Sequence, residues 1–99
     1  MNIYRHGDLL IRQINDLPND AKKQDNLILA EGEVTGHHHR LSGGTVYADE
    51  QGLKFFVVDK PTDLTHEEHK TIVIEPAKYE VIIEREFDPF ADEIRKVRD

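Results

Sequence analysis

Five of the six histidines of this 99-residue chain stand in two short stretches, "GHHHR" from Gly36 to Arg40 and "THEEHK" from Thr65 to Lys70. Imidazole exchanges protons near neutral pH and is the commonest metal-ligating side chain. Such a concentration suits two chemistries. In one, two to four neutral rings together with Glu67 or Glu68 hold zinc, iron or nickel. In the other no metal is needed. One ring acts as base and another as acid, while an arginine or lysine stabilises the charge of a phosphorane as an RNA-type phosphodiester is cleaved by its own 2′-hydroxyl.

The spacing limits both. In an extended "GHHHR", His37 and His39 point to one side of the strand and His38 and Arg40 to the other. Gly36 and the turn at Ser42, Gly43 and Gly44 leave room for a ligand to approach the backbone. His66 and His69 are three apart and lead directly into the strand-like "TIVIEP". A zinc-protease helix needs two histidines four apart with a glutamate between them, so that motif is excluded. A cupin would place a glutamate shortly after its His-x-His, where this chain has Gly43 and Gly44. Arg5, Arg40 and Lys70 are cations suited to an anionic substrate. Arg5, Gly36, His38 and Lys70 are the candidate substrate-binding residues. Glu67 or Glu68 is placed to orient a ring or raise its pKa. His6, beside Gly7, reads as a turn residue.

The elements that must hold these groups read as strands. Residues 8–14, 26–32, 45–49, 53–59, 71–76 and 78–87 are short and rich in branched or aromatic side chains. Turn formers separate them at 16–20, 42–44, 49–52 and 59–63. This predicts an all-β, mainly antiparallel single domain over residues 1–99, a small barrel or sandwich. At most one short helix is expected, as a single turn over 19–26 or a segment over 90–98 that could equally be a last strand. The histidine stretches fall at strand–turn junctions, where a β scaffold presents functional groups.

Composition sets outer bounds. The net charge is −7, from 13 basic and 20 acidic residues, which opposes a non-specific grip on long nucleic acid but leaves room for a small nucleotide in a local basic pocket. There is no cysteine, hence no disulfide and no thiolate chemistry. No apolar run is long enough to cross a membrane and the first residues do not resemble an export signal, so a cytoplasmic location is expected. A chain this small gains burial by self-association, which predicts a homodimer using strand edges or the terminal "FADEIRKVRD".

The stretches "AEGEVTGHHHRL", "THEEHKTIVIEPAKYEV" and "EREFDPFADEIRKVRD", with the opening "MNIYRHGDLLI", cover most of the chain. Together they resemble a family of small bacterial and phage proteins patterned Gly-Glu-x-Thr-Gly-His-x-His-Arg, His-Glu-Glu-His, Arg-Glu-Tyr-x-Pro and Arg-x-Val-x-Asp. Phe87 replaces the tyrosine, and His38 fills the variable position. That family is identified with the fourth class of CRISPR-associated and viral ring nucleases. The resemblance implies a compact β-rich dimer that degrades cyclic oligoadenylate messengers of type III CRISPR defence without a metal or other cofactor. The motif positions carried over are His37, His39, Arg40, His66, Glu68 and His69. Two other classes stay open on the residues themselves: a cupin-like metal-binding enzyme or sensor, and a non-catalytic interaction module whose histidines tune an interface.

Overall fold

Alternation of apolar and polar residues builds the sheets. In "LLIRQI", Leu9 and Ile11 are buried while Arg12 faces solvent, as expected of a strand with one wet face. The computed structural model describes residues 1–31 and 36–84. It contains ten strands: β1 (Ile3–His6), β2 (Leu9–Ile14), β3 (Lys22–Lys23), β4 (Ile28–Glu31), β5 (His38–Leu41), β6 (Thr45–Ala48), β7 (Lys54–Val58), β8 (Thr62–Thr65), β9 (Ile72–Ile74) and β10 (Ala77–Ile83). They form a six-stranded sheet ordered β1-β2-β10-β7-β6-β3 and a four-stranded sheet ordered β4-β5-β8-β9. Every recorded pairing is antiparallel.

The inner faces of the two sheets share one core. The larger sheet contributes Leu9, Ile11, Val46, Phe56, Val58, Tyr79 and Val81, and the smaller contributes Leu29, Ala30, Leu41, Leu64 and Ile74. Leu29 and Ala30 are adjacent in sequence yet both buried. The β4–β5 register shifts between Ile28 and Ala30, so a bulge turns successive side chains inward. The all-β expectation is met by these two sheets, with no α-helix among the described residues.

Two local expectations are corrected. Residues 19–26 form no helical turn: the Ala21 amide donates to the Pro18 carbonyl, and Lys22 and Lys23 then pair with Ala48 and Tyr47 of β6. The turn expected over 59–63 ends sooner. Thr62 and Asp63 already belong to β8, because they pair with Ile74 and Val73 of β9. The helix considered over 90–98, and the terminal segment considered for dimer contact, lie outside the described residues. No helix among those described is long and apolar enough to cross a membrane.

Candidate functional site

The β5–β8 ladder brings the two histidine stretches together. Arg40 pairs with Thr65 and Leu41 with Leu64. Continued by one residue, that register sets His39 opposite His66, and their ring centroids are 4.4 Å apart. Two further contacts follow the same line beyond the ladder. The His38 amide donates to Glu67 Oε2 at 2.9 Å, and His37 Nδ1 lies 3.2 Å from Glu68 Oε1. His69 closes on His66 with centroids 4.5 Å apart.

The alternation read in "GHHHR" holds within β5. His39 and Leu41 are buried, while Arg40 is exposed and His38 is half-buried beside it. An open groove of about 500 Å³ runs along the Arg40 face, lined by Gly36, His38, Arg40, Thr65, His66 and Glu67. His66 therefore belongs to both sides, with its ring packed on His39 and an edge in the groove wall.

His6 is placed otherwise than its sequence context suggested. It is the last residue of β1, only 2% exposed. Its Nδ1 lies 2.9 Å from His39 Nδ1, and its Nε2 lies 2.9 Å from the Lys70 carbonyl oxygen. His39 is fully buried, with Nε2 3.2 Å from Asp8 Oδ1. Gly7, between the two residues that grip His39, has φ +61°, and a Cβ there would stand 2.4 Å from His69 Nε2. Only glycine takes that conformation readily while admitting the ring so close to the backbone. The segment His6-Gly7-Asp8 is thus a third part of the site. Its sequence signal was slight: a glycine in a two-residue link, flanked by a titratable residue on each side.

Burial sets the electrostatics. It pushes His39 down to about 4, aided by the neighbouring His66 and His6 and opposed by Asp8. Burial likewise lowers His6, against the hydrogen bond to Lys70, and lowers His66, where His69 adds to the effect. His66 Nδ1 accepts a hydrogen bond from the Glu68 amide at 3.0 Å. The neutral ring must then carry its hydrogen on Nε2, and that buried atom has no hydrogen-bond partner among the described residues. His37 Nδ1 is also buried and off the line of a hydrogen bond despite its approach to Glu68. The His38 amide holds the Glu67 carboxyl below the usual range.

Ring nitrogens of His39, His66 and His69 lie within 4.8 Å of one another, and so do those of His37 and His66 with a Glu67 oxygen. Distance alone would admit a metal. A metal would have to displace hydrogen bonds already made there, since a ligating imidazole must offer a lone pair. Both nitrogens of His39 are engaged, and the Nδ1 lone pair of His66, common to both groups, is taken by an amide. Of the remaining candidates, Arg5 is paired with Glu84 and does not line the groove, and Lys70 contributes its carbonyl to His6.

A family model described as a domain of unknown function, DUF8820, matches residues 5–84. The chain belongs to that family. No curated protein and no solved structure matches it. The DUF8820 span contains the whole imidazole cluster, from His6 through His69, together with the groove.

Proposed function

We propose that this protein is a metal-independent phosphodiesterase that opens cyclic oligoadenylates by attack of a ribose 2′-hydroxyl. The observation that carries the reading is the His66 Nε2–H group, buried without an acceptor among the described residues, in a ring that shares a groove wall with the exposed Arg40. A buried donor without a partner calls for an explanation, and a phosphate oxygen supplies one. Arg40 and His66 hold the non-bridging oxygens and offset the charge that develops on them. His37, whose ring centroid stands 5.7 Å from that of His66, takes the proton of the 2′-hydroxyl. The 2′-oxygen bonds to phosphorus, the bond to the 5′-oxygen breaks, and His38 on the groove wall protonates the leaving oxygen. The product is a 2′,3′-cyclic phosphate. A local cation within a chain of net charge −7 suits a small nucleotide better than a long one. The resemblance to ring nucleases names the same substrate class.

The test is incubation with cyclic oligoadenylates of several ring sizes, with and without excess EDTA, and identification of the product ends. Equal cleavage in both and 2′,3′-cyclic phosphate termini are expected. Arg40→Ala and His66→Ala should each lower kcat by roughly 10²–10³-fold as donors to the phosphorane. His37→Ala and His38→Ala should cost roughly 10²–10⁴-fold as proton-transfer groups. Loss of activity in EDTA with recovery on adding zinc or iron would turn the site into a metal centre. Absence of cleavage under every condition would remove the reading.

A further inference from the structure

The contacts of His6 and His39 form a continuous chain: Lys70 carbonyl oxygen, His6 Nε2 and Nδ1, His39 Nδ1 and Nε2, Asp8 Oδ1, at 2.9, 2.9 and 3.2 Å. A carbonyl oxygen and an ionised carboxylate can only accept. Both Nε2 atoms must then carry hydrogen, and the short contact between the two Nδ1 atoms needs one hydrogen between them. Three hydrogens are required, whereas two neutral imidazoles supply two.

We propose that the segment His6-Gly7-Asp8 positions the site, and that the pair His6–His39 holds one proton in common opposite Asp8. The chain spans both sheets, since His6 ends β1 of the larger and His39 lies in β5 of the smaller. It also fixes the carbonyl of Lys70, at the end of the loop that carries His66 and His69. The His69 ring lies close against Gly7. The three residues thereby determine where the loop rests on β5. His6 and His39 act through their neighbours rather than on a substrate and are positioning residues.

The groups facing the pair account for a single proton. From the loop after β8, His66 stands 4.4 Å from His39 and 6.4 Å from His6 between centroids, and His69 stands 5.8 Å from each. From the β1–β2 turn, Asp8 supplies one negative charge. One shared proton leaves the chain neutral. A second would put two cations side by side in the core, and titrations coupled this strongly belong to the pair rather than to either ring. Burial, which lowers both His39 and His6, opposes that second charge.

The part of this proposal that concerns catalysis rests on the phosphodiesterase reading, while the proton count does not. The experiment is imidazole nitrogen NMR on the substrate-free full chain from acid to mildly alkaline pH. Both Nε2 atoms should be protonated, with the two Nδ1 resonances reporting one shared proton that leaves in a single step. Asp8→Asn should move that step down by about 1–3 pH units, the usual effect of removing a close opposite charge. His6→Gln keeps a donor for the Lys70 carbonyl and removes the imidazole partner. It should leave the chain folded, leave His39 as one neutral tautomer and displace the alkaline limb of the pH–rate profile. Two rings that titrate separately, unaffected by either substitution, would overturn the shared proton. Wild-type protein that shows the shared proton yet cleaves no cyclic oligoadenylate would sink the functional reading alone.

Discussion

His39 shows how a histidine can lie at the centre of an imidazole cluster without touching solvent. It is fully buried, with one nitrogen toward His6 and the other toward Asp8. Replacing it by alanine opens a cavity and strips His6 of its Nδ1 neighbour, at an expected cost of about 2–4 kcal/mol by urea unfolding. Gly7→Ala combines a left-handed backbone with a clash against the His69 ring and should cost about 1–3 kcal/mol. Acid should weaken the fold for the same physical reason. An unfolded imidazole titrates near ~6.5, whereas the folded state drives His39 to about 4 and holds His6 and His66 below their ordinary value. Below ~6.5 the unfolded chain binds more protons than the folded one, so the stability these rings contribute is lost as pH falls from ~6.5 toward about 4. The one proton shared by His6 and His39 does not reverse this sign, because the folded state refuses the others. Urea midpoints that stay constant between neutral pH and pH about 4.5 would contradict the argument.

At the scale of elements, the site depends on two strands that meet over a short ladder. β5 and β8 are joined through Arg40–Thr65 and Leu41–Leu64, and Leu64 is fully buried beneath them. Leu64→Ala should cost about 2–5 kcal/mol and loosen His39 from His66 along with the ladder. Val73 on the neighbouring β9 is about half exposed, and Val73→Ala should change stability by no more than about 0.5 kcal/mol. Equal effects of the two substitutions would show that β8 does not anchor the smaller sheet. The β4 bulge serves the same end of the molecule, since it lets Ala30 face His39 while Glu31 reaches the level of His38.

At the scale of the molecule, the two sheets have four outer strands among the described residues. β1 and β3 flank the larger sheet and β4 and β9 the smaller. Outer strands present unpaired backbone groups that favour pairing with another chain. β1 carries Ile3 and β9 carries Val73, both large, apolar and exposed. A homodimer is expected at micromolar concentration by sedimentation, and Ile3→Lys or Val73→Lys should shift it toward monomer according to which edge is used. A wild-type monomer would refute the dimer. A two-fold assembly would also offer a ring-shaped substrate two equivalent sets of imidazoles and arginines.

The sequence by itself determined six of the strand-forming segments, those of β2, β4, β6, β7, β9 and β10, because branched and aromatic residues between turn formers are a local pattern. It also determined the opposite facing of His39 and Arg40, which follows from the two-residue period of an extended chain. It marked the two histidine stretches as one chemical unit. Tertiary structure alone decided that "TDLT" pairs as a strand, since its partners lie in "IVI" and in β5. It alone decided that His6 belongs to the cluster. A histidine beside glycine reads as a turn residue until another sheet passes close to it, and that approach is a long-range pairing between residues 33 positions apart in the chain. The third part of the site, His6, Gly7 and Asp8, was therefore the part least legible in one dimension.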